Sequence, residues 1–364
     1  MPKRQRLGLI FGGRSVEHEV SVVSAQHVIA AADPARFEVV PIGVTKDGTW
    51  LSPEETQSQL ARPDPPFKKT LVSSGEAAAF NPQAVSHLQR LDVVFPLIHG
   101  THGEDGTLQG LLEIAGLPYV GCGVAASALG MDKALMKAVF AAEGLPVAEH
   151  VVLYVPPGNA PPFTVGSPPT DLLAIARDVE ARLGFPAFVK PANGGSSLGV
   201  SKVRGREELV AAITEASRFD RKLLVERAIE GREVECAVLG NDFPEATPLG
   251  EIRHQRDFYD YEAKYLDPNT QVIAPADLPQ DVVERGQALA LRAFRALGCS
   301  GMSRVDFFLT LDGSLIIDEI NTIPGFTPAS MFPRLWQAIG VSYSELITRL
   351  VDLAMAREEE KPVA

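Results

Sequence analysis

At 364 residues, the chain is longer than one hydrophobic core usually serves, so we expect two or three domains. Its composition, 45% hydrophobic and 22% charged, is typical of a soluble α/β enzyme, and a net charge of −12 without any basic cluster disfavours a nucleic-acid or membrane partner. The widely separated cysteines Cys122, Cys236 and Cys299 fit neither a disulfide framework nor a zinc site, which favours the cytoplasm.

The N-terminal region predicts alternating strands and helices. Leu7 to Phe11 is a short apolar strand, and a Gly12-Gly13-Arg14-Ser15 turn leads into a helix from about Val16 to Ala32. The strand pattern recurs in FEVVPIGVT and LDVVFPLIHG, so we expect a parallel sheet. The glycine turn lacks the spacing of a dinucleotide fingerprint. The first apolar run, about five residues long, is too short for the core of a signal peptide.

The segment HGTHGEDG, from His99 to Gly106, follows the third predicted strand, where ligands of open α/β sheets gather. Two histidines and two acids allow a metal site. The three glycines instead favour a tight turn that brings the backbone close to a ligand.

Asp132 is expected to cap a helix, KALMKAVFAAEG, that ends at Gly144. Lys133 then lies in the first turn, where its charge opposes the helix dipole. A bound anion such as phosphate would remove this penalty, and a solvated lysine is the alternative.

The segment FPAFVKPANGGSSLGVSKV predicts a buried strand with Lys190, a Gly/Ser loop and a second strand. It lacks the G-K-[ST] and the following helix of a P-loop. It is instead typical of a flap whose amides and hydroxyls close over phosphates, with Lys190 as the point charge. In the next strand, turn and strand, Glu226 and Glu233 bracket an acidic turn, for which solvent exposure is the simpler interpretation.

Residues 251–273, EIRHQRDFYDYEAKYLDPNTQVI, show neither a helical nor a strand period. They contain Tyr259, Tyr261, Lys264 and Tyr265. Long irregular loops in compact domains are usually lids or binding loops, and this density of aromatic residues argues against disorder. We therefore predict a lid over a small, polar substrate.

Residues 303–325, SRVDFFLTLDGSLIIDEINTIPG, predict a β-hairpin around Asp312-Gly313, a dipeptide suited to a two-residue type I′ turn. In that register Asp306 faces Glu319, and Arg304 faces Asn321. Strand alternation places these four on one face. The opposite face is expected to carry Val305, Phe307, Leu309, Ile316 and Ile320.

Directly opposed carboxylates repel each other, so we expect a positive group between Asp306 and Glu319. With the amide oxygen of Asn321 they form an all-oxygen set of the kind that Mg²⁺ accepts. A solvated, exposed acid pair is the alternative. The neighbouring Arg304 and the loop 321–330 favour the metal site.

The motifs, taken together and in order, resemble the ATP-grasp ligases and, among them, the D-alanine–D-alanine ligase family. The resemblance covers essentially the whole chain and excludes the proline-rich segment VPPGNAPPFTVGSPPT. It is carried by GGRSVEHEVS, HGTHGEDGTLQG, the MDK of Met131 to Lys133, KPANGGSSLGVSKV, FYDYEAKY, GMSRVDFF and IIDEINTIPGFTPASM.

The resemblance implies an α/β fold with three parts. These are an N-terminal α/β domain, 1–121, a central ATP-grasp subdomain, 122–230, and a C-terminal subdomain, 231–364. The C-terminal part would contain the lid 251–273 and the metal-binding hairpin 303–325. ATP would lie between the central and C-terminal antiparallel sheets, and the protein is expected to be a homodimer.

The resemblance also implies roles for individual residues. Two Mg²⁺ ions, with Mn²⁺ as an alternative metal, would be held by Asp306, Glu319 and Asn321. ATP would be contacted by Lys133, Lys190, Ser196, Glu226, Arg227, Ile229, Glu233 and Lys264. The two D-alanine sites and the reacting centre would be formed by Glu17, His99, Ser196, Lys264, Tyr265, Arg304, Gly325 and Ser330, with hydrogen bonds that link Glu17, Ser196 and Tyr265.

The implied reaction joins two D-alanine molecules through an acyl phosphate made with ATP, for peptidoglycan precursor synthesis. Tyr265 in the lid motif favours D-alanine over D-lactate as the second substrate. Alternatives are a depsipeptide ligase, another ATP-grasp carboxylate–amine ligase, and a nucleotide-binding regulator that has lost catalysis. The presence of Asp306, Glu319 and Asn321 disfavours the regulator.

Overall fold

The computed structural model describes residues 3–63, 68–73, 87–158, 160–254 and 269–360. Its strands form three sheets, whose strands lie within 5–96, 150–227 and 231–321. Each sheet falls inside one of the three predicted domains, although the domain boundaries stay a prediction. None of the helices within the described ranges is long and apolar enough to cross a membrane.

The first sheet is parallel, as predicted, with the order β2-β1-β3. Its strands are β1 (Gln5–Gly12), β2 (Phe37–Val44) and β3 (Val93–Pro96), and its helices are α1 (His18–Ala31), α2 (Pro53–Leu60) and α3 (Thr107–Ile114). The central strand β1 is buried from Leu7 to Gly12, as expected for a strand covered on both faces. The turns that follow β1 and β3 leave the sheet at its carboxyl edge.

The second sheet is antiparallel, with the order β5-β4-β8-β6-β7. Its strands are β4 (His150–Tyr154), β5 (Phe163–Thr164), β6 (Ala187–Pro191), β7 (Ser201–Val203) and β8 (Lys222–Arg227). The preceding helices are α4 (Val124–Met131) and α5 (Lys133–Ala142), and α6 (Leu172–Leu183) and α7 (Arg206–Ala216) cover one face. Because β6 alternates between buried and half-buried positions, Lys190 points to the face opposite α6 and α7.

The third sheet is also antiparallel, with the order β12-β11-β9-β13-β14, and β10 pairs with β9. Its strands are β9 (Gly231–Gly240), β10 (Glu245–Ala246), β11 (Gly250–Arg253), β12 (Gln271–Ile273), β13 (Gly301–Thr310) and β14 (Leu315–Asn321). The remaining helices are α8 (Gln280–Ala296), α9 (Met331–Ala338) and α10 (Tyr343–Glu359). Helix α8 packs into one core with this sheet, whereas α9 and α10 share another core with the first sheet.

The prediction of an irregular stretch over 251–273 is wrong at both ends. Residues 251–253 belong to β11 and residues 271–273 form β12, and these strands pair antiparallel. Neither end shows a strand period, because each strand is only three or four residues long. Of the residues between them, 255–268 lie outside the described part of the chain, including all four lid residues named above.

The hairpin of β13 and β14 has the predicted register at the site and a different one at its turn. Asp306 lies opposite Glu319, and Arg304 opposite Asn321. The two-residue turn is wrong: Thr310 N donates to Ser314 O at 2.9 Å, so the loop comprises residues 311–313. Gly313 adopts the positive φ, 82°, that this longer loop requires.

A β-bulge in β14 compensates for the extra loop residue. The register shifts after Asp306, because Phe307 pairs with Ile317 and Asp318 is the additional residue. The predicted core position of Ile316 is therefore wrong: Ile317 is fully buried there instead. The bulge also turns Asp318 towards the same cavity as Glu319.

Candidate active site

A cavity of about 1000 Å³ lies where the three sheets meet. Its walls come from the loops after β1 and β3, the Gly/Ser loop between β6 and β7, the turn between β8 and β9, and the hairpin of β13 and β14. Every predicted site residue within the described ranges lines it, namely Glu17, His99, Lys133, Lys190, Ser196, Glu226, Arg227, Ile229, Glu233, Arg304, Asp306, Glu319, Asn321, Gly325 and Ser330. Lys264 and Tyr265 lie outside the described residues.

The hairpin carboxylates Asp306 and Glu319 are each paired with a different cation. Both Arg304 Nε and Nη2 donate to Asp306 at 2.7 Å, and Lys133 Nζ lies 3.3 Å from Glu319 Oε2. Although burial favours a neutral guanidine, Asp306 and Glu235 hold the pKa of Arg304 well above its usual value. The hairpin is therefore a face of alternating charge.

The oxygen atoms of this face fit a magnesium ion. Asp306 and Glu319 are direct cross-strand neighbours, and Asn321 Nδ2 donates to Asp306 Oδ2 at 3.0 Å. Two carboxylates and a side-chain amide on one face of the hairpin can supply the hard, oxygen-only ligands that Mg²⁺ prefers. The donor set thus agrees with the predicted metal role.

Lys133 and Lys190 both reach into the cavity near the Gly/Ser loop. Lys133 Nζ donates to Gly194 O at 2.8 Å, so it is not the solvated lysine of the alternative interpretation. Lys190 Nζ lies 2.7 Å from Glu226 and 3.0 Å from Asp318, and these two acids raise its pKa despite burial. Two cations close to a glycine loop are an arrangement suited to phosphate groups.

The Gly/Ser loop is held in an unusual backbone conformation. Ser196 and Ser197 have φ values of 53° and 57°, which residues other than glycine rarely adopt and which recur at ligand-binding sites. Gly195 approaches Glu17 so closely that a Cβ atom there would lie 3.3 Å from its Oε2. Ser196 Oγ is buried and forms no hydrogen bond with any described residue, so its predicted link to Glu17 is not formed here.

The tight turn predicted after β3 is present, and it holds the loop after β14 at two points. His99 Nδ1 donates to Ile323 O at 3.1 Å, and Glu104 Oε1 accepts from Ile323 N at 3.1 Å. Glu104 Oε2 also accepts from Gly100 N at 2.6 Å. This loop continues to Gly325, so the turn positions part of the cavity wall.

Glu104 is a cavity residue that the sequence interpretation missed. Burial, and next the charge of Glu17, raise its pKa to about 8. Its signal in the sequence is the acid within HGTHGEDG, a segment for which the sequence favours a tight turn over a metal site. Asp318 and Glu235 also line the cavity and were not predicted, because no local pattern distinguishes them from surface charges. The same holds for Lys137, which lies outside the cavity and contacts Glu226 at 2.8 Å.

Gly325 and Ser330 lie together where the loop after β14 meets α9. A Cβ atom on Gly325 would lie 3.1 Å from Ser330 Oγ, so a side chain there would crowd the hydroxyl. Ser330 is the N-cap residue of α9, and its Oγ accepts a hydrogen bond from Thr327 N at 3.2 Å. The N-terminus of a helix favours negative charge nearby, which suits a carboxylate or an oxyanion.

The turn between β8 and β9 forms the remaining wall. Glu226 is buried rather than exposed, which makes the simpler interpretation of this turn wrong for that residue. Glu233 Oε1 lies 3.1 Å from His254 Nε2, and Arg227 pairs with Glu149 at 2.6 Å. Ile229 lines the cavity between them, so the wall combines one apolar side chain with several polar groups.

Two family models match the chain. One, described as the N-terminus of D-ala D-ala ligase, matches residues 6–122, and the other, described as its C-terminus, matches residues 140–352. A D-alanine–D-alanine ligase from Geobacillus thermodenitrificans is 46% identical over 364 residues, which cover 98% of this chain and 97% of the relative.

Solved structures show the same similarity. The VanG D-Ala:D-Ser ligase from Enterococcus faecalis has a TM-score of 0.78 and 35% identity, over 97% of this chain and 100% of that one. A D-alanine–D-alanine ligase from Bacillus anthracis, solved with ATP, has a TM-score of 0.75 and 26% identity, over 98% and 100% of the two chains. The similarity therefore extends over nearly the full length of each protein.

Proposed function

The chain belongs to the D-alanine–D-alanine ligase family, and from this premise we propose how its cavity joins two D-alanine molecules with ATP. The protein is an ATP-dependent ligase, and its product, D-alanyl-D-alanine, is a peptidoglycan precursor. The observation that carries the proposed roles is the convergence of the predicted residues on one cavity, although they come from distant parts of the chain.

The reaction needs two steps because amide formation from a free carboxylate is unfavourable in water. A carboxylate oxygen of the first D-alanine attacks the γ-phosphorus of ATP, which gives an acyl phosphate and ADP. The amine of the second D-alanine then attacks the acyl carbon. The tetrahedral intermediate collapses to the dipeptide, and inorganic phosphate leaves.

The charged residues around the Gly/Ser loop are proposed to bind ATP. Lys133 and Lys190 would neutralise the phosphates, since phosphoryl transfer depends mostly on positioning and charge neutralisation. Asp306, Glu319 and Asn321 would hold two Mg²⁺ ions, or Mn²⁺, which when bound neutralise charge that develops on the phosphates. The base and ribose would be contacted by Glu226, Arg227, Ile229 and Glu233.

The opposite end of the cavity is proposed to bind the amino acids. The Glu17 carboxylate would hold the ammonium group of the first D-alanine, beside His99, and Ser330 would contact the second D-alanine. Arg304 and the Gly325 amide would donate to the oxyanion of the intermediate, where one such donor is commonly worth roughly 10²–10³ in rate. Support comes from the charge of Glu17 and Arg304 and from the position of Gly325 beside a helix N-terminus.

Several further assignments rest on the sequence and on its resemblance to the family. Lys264 would contact the γ-phosphate, and Tyr265 would help to close a lid that excludes water and select D-alanine as the second substrate. The division into domains at 121 and 230 and a homodimeric assembly complete the proposal, together with action in the cytoplasm.

The test is release of ADP by the purified protein with ATP, MgCl₂ and D-alanine, with products separated by mass. Parallel reactions add D-lactate or D-serine. We expect D-alanyl-D-alanine in every reaction, little mixed product, and no turnover after chelation with EDTA. Absence of ADP release would overturn ligase activity and favour the regulator, whereas a dominant mixed product would overturn only the choice of second substrate.

A further inference from the structure

Lys137 in α5 is a buried cation to which the proposed reaction gives no role. Its side chain has 0% exposure, and its Nζ lies 2.8 Å from Glu226 Oε1. The same nitrogen donates to the backbone oxygen of Asp318 at 2.8 Å and lies 3.7 Å from its carboxylate. A buried charge is costly unless it is paired, so these contacts explain how the lysine is accommodated.

Lys137 is one member of a closed ring of four charges, together with Glu226, Lys190 and Asp318. Lys190 contacts the other oxygen of Glu226 at 2.7 Å and the carboxylate of Asp318 at 3.0 Å. Cations and anions alternate around the ring, and its members come from α5, β8, β6 and β14. Burial raises the pKa of Glu226, but the two lysines outweigh it and hold that pKa below its usual value.

The two lysines of the ring differ in their access to ligand. Lys190, Glu226 and Asp318 line the cavity, whereas Lys137 contacts Glu226 from behind. When phosphates engage Lys190, Lys137 is the cation that remains on Glu226. An ionised carboxylate can only accept hydrogen bonds. It therefore binds a base that carries an exocyclic amine, and it repels a base that carries a carbonyl oxygen at the same ring position.

We propose that Lys137 is a positioning residue for nucleotide recognition, which holds the Glu226 carboxylate towards the base and so favours a 6-aminopurine over a 6-oxopurine. The inference rests on the proposed contact of Glu226 with the base. It extends that proposal to a residue outside the cavity.

The experiment compares ATP with inosine triphosphate, which replaces the 6-amino group by a carbonyl, in ligation of D-alanine. In Lys137→Met we expect KM for ATP to rise about tenfold, the typical result of unpairing one buried polar group, with kcat within about threefold of wild type. The ATP to inosine triphosphate ratio of kcat/KM should fall about tenfold. An unchanged ratio, or a loss confined to kcat, would overturn the proposal.

Two further variants separate this role from general destabilisation. Lys222→Met removes another lysine ion pair beside α5, with Asp132 at 2.7 Å, and should keep the wild-type ratio. In a Glu226→Gln background, Lys137→Met should change KM for ATP by less than about threefold, because a neutral amide needs no cation. Equal effects in both backgrounds would contradict the proposal.

Two further results need separate interpretation, namely a variant that does not fold and a wild-type protein with an unexpected activity. If Lys137→Met does not fold, Lys137→Gln replaces it with the same expectation, since its amide can still donate to the Asp318 carbonyl. A wild-type enzyme that uses both nucleotides equally well would overturn the inference alone. A wild-type protein without D-alanyl-D-alanine synthesis would overturn the proposed function instead.

Discussion

Single side chains show how an acidic protein builds a site for a polyanionic substrate. Glu319, Asp306 and Asp318 on the hairpin each meet a cation from another position, at 3.3 Å or less. These cations remove the repulsion between neighbouring carboxylates, and they also present positive charge to the cavity. Net charge therefore says little about the local field of this site.

Glu251 is an acid whose pairing makes stability depend on pH. Arg232 donates to both of its oxygens, at 2.7 and 2.8 Å, and Arg253 lies 2.7 Å away. The hydrogen bond from Arg232, against burial, and then the one from Arg253 lower its pKa to about 2. A lowered pKa stabilises the folded state above the usual value of 4.5, and this contribution is lost as pH falls towards 2.

We predict that Glu251→Gln flattens the acid limb of the stability profile. The wild-type free energy of unfolding should fall between pH 5 and pH 3, with roughly 1–2 kcal/mol of the fall due to Glu251. The variant should be less stable at pH 7 but lose less over this range, as measured by urea unfolding at each pH. Arg253→Gln should give an intermediate slope, and parallel profiles for wild type and Glu251→Gln would refute the prediction.

At the scale of elements, the hairpin of β13 and β14 depends on two compensating irregularities. The loop 311–313 contains one residue more than a type I′ turn, and the bulge at Asp318 restores the register before Glu319. Neither the longer loop nor the bulge is visible in the sequence of one strand alone. The bulge also places two successive acids, Asp318 and Glu319, on the cavity side, which strict alternation does not allow.

Deletion of Leu311 tests whether the bulge, rather than the loop, sets the register at the site. Leu311 is 97% exposed, and its removal leaves Asp312-Gly313, a favoured two-residue turn, between the same paired residues. We expect kcat/KM for D-alanine within about twofold of wild type. A loss of more than tenfold would show that loop length controls the register.

A contrasting variant of the same turn is Gly313→Val. Gly313 has a φ of 82°, a conformation that costs a residue with a side chain roughly 1–2 kcal/mol or more. This variant should lower the melting temperature while leaving the register unchanged. The pair of variants thus separates turn strain from site geometry.

At the scale of the whole molecule, α10 joins the first and third sheets. One hydrophobic core contains Leu9 and Phe95 of the first sheet, Met302 of the third, and Leu346 and Leu350 of α10. Arg357 at the end of this helix adds polar contacts at the same junction. The first and third sheets, which both contribute residues or adjoining loops to the cavity wall, are thus held together by shared packing.

Arg357→Ala should weaken this junction without affecting the chemistry directly. Its guanidinium donates to Tyr119 O at 2.7 Å, Gly121 O at 2.5 Å and Ser300 Oγ at 2.6 Å, and it stacks on the Tyr119 ring. We expect a loss of about 2–3 kcal/mol, since hydrogen bonds to charged groups are worth more than neutral ones. Thermal unfolding measures the loss of stability. A kcat measured well below the melting temperature checks that the chemistry is not affected directly.

Arg349→Ala is the matched control on the same helix. Among the residues that the structure describes, Arg349 pairs only with the exposed Glu345, four residues away, and such pairs contribute about 0.3–0.5 kcal/mol. Its melting temperature should therefore stay close to that of wild type. If both variants were equally destabilised, the contacts of Arg357 at the junction would not be the cause.

Features that depend on short-range patterns can be predicted from the amino-acid sequence. The parallel first sheet follows from strand and helix alternation. The predicted pairing of Asp306 with Glu319 is present as well, but only because the bulge at Asp318 offsets the extra loop residue. Lys190 on a strand before a glycine loop and Lys133 in a first helical turn were recognised in the same way. These signals are local, because the residues that create them are neighbours in the chain.

Features that depend on partners distant in the chain become visible only in the folded protein. In the sequence, Lys137 is one of several polar residues of an amphipathic helix. Its contacts with Glu226 and Asp318, which come from two other elements, are formed only in the folded protein. Glu104 becomes part of the site only where it meets Ile323. The bulge at Asp318 is decided by pairing across strands, because a residue that is extra in one strand is defined only by the strand opposite.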